Sequence, residues 1–80
     1  MSDYNSLYLI DTTYNSDRNA TEVVFGYIEQ EKDIEGRNMK VRVIVNVPGG
    51  KDDIAAVIKE GLKKARSVLI SASKASYDED

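Results

Sequence analysis

Four carboxylates at alternate positions, Glu29, Glu31, Asp33 and Glu35, are the first residues in this 80-residue chain whose types and spacing could do chemistry. On an extended segment they line one side, and carboxylate oxygens are what hard cations take as ligands. A calcium loop, however, wraps its ion around a glycine bend, which a straight strand cannot do. Paired or solvated charges are therefore expected, with no metal. A glycosidase-like carboxyl pair would need a cleft between its members, and a thin domain offers little concavity.

The stretch Pro48-Gly49-Gly50-Lys51-Asp52-Asp53 has glycines ahead of a helix, where backbone N–H groups can face an anion. The phosphate-loop pattern needs Ser or Thr after the lysine, and here two acids follow it and compete with an anion. A turn and a helix cap are the expectation. Histidine and cysteine are both absent. The commonest general base, the commonest metal ligand and any disulfide framework go with them. What remains is carboxylates, lysines and five tyrosines, so no catalytic residue and no cofactor is assigned.

Two groups of residues suit binding instead. Lys59, Lys63, Arg66 and Lys74 fall within about 80° of one another at 100° per residue, with Ile70 between them, on the outer side of a helix. Such a stripe could follow a phosphate backbone or meet an acidic partner, although solvated lysines on a surface helix are ordinary. The second group is on a sheet: Phe25, Tyr27 and Ile44, with Glu29, Glu31, Lys40 and Arg42 beyond them, and with Tyr8 and Ile10 joining if the first strand has the matching parity. An apolar patch rimmed by charge marks an interface, unless the loop after the first strand covers it. Aromatics on a sheet can also stack nucleic-acid bases, but the neighbouring carboxylates would repel phosphate.

The element that must position these residues is Met39-Lys40-Val41-Arg42-Val43-Ile44-Val45-Asn46-Val47. Its odd positions are all apolar and its even ones are polar except Ile44, the period of a half-buried strand. Leu7–Ile10 reads as a first strand of undetermined parity, 11–20 as a loop, and Thr21–Lys32 as a second strand interrupted by Gly26. A two-residue Glu35-Gly36 turn makes a hairpin that places Glu31 opposite Lys40 and Glu29 opposite Arg42, with Val24, Gly26 and Ile28 facing the valine row. Gly36-Arg37 as the turn keeps the same parity. Asp52 or Asp53 caps a helix whose face of Ile54, Val57, Ile58, Gly61, Leu62, Ala65, Val68, Leu69 and Ala72 covers the sheet as far as about Ala75. Gly61 is expected to touch the sheet, near Gly26.

The fold expected is α+β: a three-stranded antiparallel meander packed on one face by a long C-terminal helix, in one domain over 1–80 with disordered ends at 1–6 and 77–80. One helix covers only one side of a sheet, so the other side is bare or paired. A core this small is marginal by itself, and self-association would help it. The net charge of −3 conceals an asymmetry: residues 1–36 carry eight acids and two bases, residues 37–76 nine bases and three acids. No basic region followed by an apolar run opens the chain, and no segment approaches the roughly 20 apolar residues that span a bilayer, so a cytoplasmic location is expected. The order of elements resembles double-stranded-RNA-binding domains and the arm-binding domains of phage-type integrases in architecture. The former carry a helix before their strands and lysines opening the last helix, where this chain has Asp52-Asp53, and no family is assigned.

The function expected is that of a small non-catalytic protein-interaction module, a regulator or inhibitor of the kind viruses also encode. It would be a homodimer and would bind a protein partner through the open sheet face or a strand edge, Met39–Val47 or Leu7–Ile10. Nucleic-acid binding by the helix stripe or the sheet aromatics is the alternative.

Overall fold

In the computed structural model, which describes residues 7–76 apart from the Gln30 side chain, β1 (Tyr8–Asn15), β2 (Ala20–Lys32) and β3 (Asn38–Pro48) form an antiparallel sheet in the order β1-β2-β3, followed by α1 (Ile54–Lys74). The class is α+β with a C-terminal helix, as the sequence implies. The expected disordered ends lie outside the described residues. What the sequence reads as a loop after Ile10 is strand: β1 runs on to Asn15, and a tight turn at 16–19 returns the chain into β2. Asn15 Oδ1 holds that turn by accepting from the N–H groups of Asp17 and Arg18. The loop therefore covers nothing.

The register of β2 with β3 differs from the expected one by an odd number, and this decides which side chains are core. Val23 pairs with Val45, Phe25 with Val43 and Tyr27 with Val41. A shift of one residue exchanges the faces of a strand. The helix therefore covers Thr21, Val23 and Phe25 of β2, while Val24, Gly26 and Ile28 turn away; the valine row of β3 keeps its place in the core. The cause is the turn. Asp33 Oδ1 accepts from the N–H groups of Glu35 and Arg37, the Asp33 N–H donates to the Arg37 carbonyl, and Gly36 takes a φ of 81°. That is a three-residue loop, Ile34–Gly36, with a left-handed glycine, in place of a two-residue one. Farther down, a bulge between Ile28 and Lys32 resets the ladder without changing parity.

α1 packs on β3 and β2 and does not extend over β1. Val57, Gly61 and Ala65, one turn apart, form its buried line against Val23, Phe25, Val43, Val45 and Val47. A β-carbon on Gly61 would lie 3.4 Å from the Val23 side chain, so the glycine meets the sheet as expected, although at Val23 and Phe25 and not at Gly26. The entry to the helix is fixed by Thr21, fully buried, whose hydroxyl donates to the Gly49 carbonyl at 2.8 Å. Asp53 stands at the N-cap, but its carboxylate makes no cap bond to the helix; it accepts from the Gly50 N–H at 2.7 Å and ties down the preceding turn.

Candidate protein-interaction surface

The sheet face away from α1 is open. Pairing places Tyr8, Gly26 and Arg42 on one rung, Asp11, Val24 and Ile44 on the next such rung, and Thr13, Glu22 and Asn46 on the one after; Ile28 lies opposite Lys40 at the other end. A bulge at Ile10 lets Ile10 and Asp11 both face Val24. Tyr8 and Ile10 fold over Gly26, where a β-carbon would lie 2.7 Å from Tyr8 Cζ and 2.9 Å from Ile10 Cδ1. The glycine is buried beneath them, while Tyr8, Ile10 and Ile44 remain 40–58% exposed. The result is a low apolar band of Tyr8, Ile10, Val24, Ile28 and Ile44. Asp11 stands on the rung of Val24 and Ile44 and Glu22 one such rung beyond; Arg42 stands on the rung of Tyr8 and Lys40 beside Ile28, both on β3.

Of the sheet residues singled out from sequence, Ile44, Lys40 and Arg42 do lie on this face. Phe25 and Tyr27 do not: the register turns both toward the helix, and Phe25 is 3% exposed. Glu29 shares the side of Tyr27, whose hydroxyl donates to Glu29 Oε2 at 3.4 Å. Glu31 is exposed at the bulge. The expected cross-strand pairs are not formed, since Lys40 faces Ile28 and Arg42 faces Gly26. Tyr8 and Ile10, conditional members of the patch on sequence grounds, are central, and Val24 and Ile28, expected in the core, face away from the helix. The signal for Val24 and Ile28 is the parity set by Asp33; Tyr8 and Ile10 follow from the register of β1 on β2.

The edges are less open than the face. On the outer side of β1 the Thr12 N–H donates to Asp11 Oδ1 at 2.9 Å, next to the bulge. On β3 the Asn46 carbonyl accepts from Lys64 Nζ at 3.2 Å, and Pro48 has no N–H to offer. Bulges, lysines and prolines at these places discourage strand addition. β1 is thus guarded just past Leu7–Ile10, and β3 at the C-terminal end of Met39–Val47.

Lys59, Lys63, Arg66, Ile70 and Lys74 are all exposed on α1, as a stripe opposite the core. Arg66 and Ile70 also border an open groove of about 590 Å³ between the end of the helix and the sheet, lined by Leu7, Tyr27, Val41, Leu62 and Leu69. Partial burial there, and then the Glu29 carboxylate, hold the Tyr27 phenol above its ordinary ionisation range. Among the described residues no cluster of three metal-ligating side chains occurs, and no helix is long and apolar enough to cross a membrane. The Gly50 N–H, which the sequence offers to an anion, is taken by Asp53. Comparison with models of known protein families, with curated proteins and with solved structures finds no match to this chain.

Proposed function

We propose that the protein is a small non-catalytic interaction module, suited to a regulator or inhibitor, that binds a protein partner through its open sheet face. The observation that carries this reading is the band of Tyr8, Ile10, Val24, Ile28 and Ile44, apolar and uncovered in a chain whose own core has only seven buried apolar residues among those described. A contiguous apolar patch bordered by charge is what recognition surfaces present. The nucleic-acid alternative loses Phe25 and Tyr27, which lie on the helix side; the basic stripe, and Tyr8 beside Arg42 on the open face, remain to support it.

The test is capture from the native host with tagged wild type and tagged Ile44→Asp as parallel baits. Ile44 is 58% exposed, so the substitution leaves the fold intact, with the melting temperature within a few degrees of wild type. Proteins retained by wild type and lost by Ile44→Asp support the reading. Identical retention by the two baits, or retention only of nucleic acid that is released by salt, opposes it.

A further inference from the structure

We infer that a second helix, acidic and contributed by another protein, docks beside α1 on the same side of the sheet. This site is separate from the open face and stands whether or not that face binds. α1 covers only part of its own side. Along β3 the row Val43, Val45 and Val47 is buried, whereas Val41 and Met39, next in the same row, are 46% and 42% exposed. The helix crosses β3 with one flank toward each end of that strand. Lys64 reaches the Asn46 carbonyl on one side, and on the other Leu62 and Leu69 border the groove over Leu7, Tyr27 and Val41. At 100° per residue these flanks stand about 60° and about 80–100° to either side of Gly61 on the buried line.

The room beside α1 is that of one more helix. Packed helices lie about 8–10 Å apart, which along strands rising about 3.4 Å per residue is about three positions. Counted from Val45, the middle of the buried row, that reaches the level of Arg42, beside the exposed Val41 and the groove. Three strands span about 10 Å, the distance between helical positions i and i+7, so successive apolar side chains of a docked helix meet Leu7, Tyr27 and Val41 in turn. The groove lies over side chains and not along a strand edge, so an occupant must satisfy its own backbone groups, as a helix does. Charge sets its polarity. Arg66 stands at the rim, and Lys63 and Lys59, about one and two turns earlier, lie within about 60° of it. None of the three has an ion-pair partner among the described residues, and α1 holds five bases against one acid, Glu60. Carboxylates on the docked helix give these cations partners. Glu29, beside Tyr27, and Asp33 and Glu35, on Arg37, lie beyond the groove toward the hairpin turn, so the acids belong on the flank facing α1 alone.

A phage-displayed library of random peptides of about 16 residues, roughly four helical turns, panned on the full chain tests this. Enriched peptides are expected to carry apolar residues at i, i+3 or i+4 and i+7 with Asp or Glu along one flank, and to gain helical circular dichroism when the chain is added. They are expected to bind at least about tenfold more weakly to Val41→Lys, and likewise to Lys63→Glu with Arg66→Glu. Val41→Lys keeps the basic character of the site, so its loss reads the apolar floor apart from the charge. Both variants alter exposed positions and are expected to melt within a few degrees of wild type. Peptides without helical spacing or without acids, peptides indifferent to either variant, or a library that yields nothing overturn the inference. Peptides lost with Ile44→Asp and kept by Val41→Lys belong to the open face and overturn the second site alone. Short duplex DNA bound at low salt, lost with the charge reversal and kept by Val41→Lys, assigns the stripe to phosphate and overturns the acidic helix. A wild type that sediments as a dimer and a Val41→Lys variant that does not put a second copy in the groove and overturn it equally.

Discussion

Tyr8 and Gly26 share a rung of the sheet, and the tyrosine ring rests where a side chain at position 26 would stand. The glycine therefore serves the surface and not a turn: it lets β1 lay an aromatic flat across β2. Gly26→Ala forces the ends of the Tyr8 and Ile10 side chains to move, and both are 40–44% exposed and free to do so. Stability is expected to change by less than about 1 kcal/mol, because flexible side-chain ends give way cheaply and alanine gains on glycine in chain entropy. Binding through the face is expected to weaken nonetheless. Thermal melting of the variant and its retention of captured partners read the two effects separately; a large loss of stability with unchanged retention would contradict this account.

Gly50 makes the opposite case. Its φ is 110°, and a β-carbon there would run into the Thr21 hydroxyl, which is fully buried and bonded to the Gly49 carbonyl. Neither the backbone nor Thr21 can yield. Gly50→Ala is expected to cost about 2–5 kcal/mol, strain and overpacking together. Thr21→Val keeps the shape and leaves the part-buried Gly49 carbonyl without its donor, at about 1 kcal/mol. Urea denaturation of the two variants, with wild type alongside, gives both values.

The strands, the helix and its buried line are legible in the residues because each depends on local periodicity. The valine row of β3 and the run Val57, Gly61, Ala65 declare their faces without reference to any other element. Which row of β2 opposes them is a different kind of question, since both Val23-Phe25-Tyr27 and Val24-Ile28 are apolar enough to be core. One hydrogen-bonding side chain decides it. Asp33 adds a residue to the turn relative to Glu35-Gly36, and that moves Phe25 from the open face into the core. Charge pairing was a poor guide here: exposed pairs contribute only a fraction of a kcal/mol, less than burying a phenylalanine. The length of β1 was hidden for a related reason, since Thr12, Thr13 and Tyr14 are strand formers set among turn-forming Asp, Asn and Ser.

Gly61 faces Val23 at 3.4 Å and Phe25 at 3.5 Å, measured from where its β-carbon would be. These are ordinary contact distances, so alanine fits, and the helix gains up to about 1 kcal/mol in propensity. Gly61→Ala is expected to raise the melting temperature by a few degrees. Gly61→Leu has no room and is expected to push α1 off the sheet at a cost of about 1–3 kcal/mol. A destabilising alanine would mean that the helix sits closer to β2 than these distances allow.

Tyr27 supplies the pH dependence. Partial burial beside the groove, and then the neighbouring Glu29 carboxylate that accepts its hydrogen bond, disfavour the phenolate and raise its ionisation above the ordinary tyrosine value near 10.0. Because the folded chain holds this proton more tightly than the unfolded one, the associated stability is fully present below the unfolded value. It is lost as pH climbs from there through the raised folded value, because the unfolded chain ionises first. Lysines titrate in the same range, so the informative quantity is the difference between wild type and Tyr27→Phe. Denaturation midpoints of the two are expected to run parallel from neutral pH to about 9, to differ in slope between the unfolded and the raised folded value, and to run parallel again above it, where Tyr27 is ionised in both states. Wild type is thus expected to fall more steeply above pH 10. Absorbance titration at the phenolate band should show a late ionisation that Tyr27→Phe removes and Glu29→Gln brings earlier. Superimposable curves for wild type and Tyr27→Phe across that range would mean that the phenol at position 27 sits in water, with the groove open to its full depth.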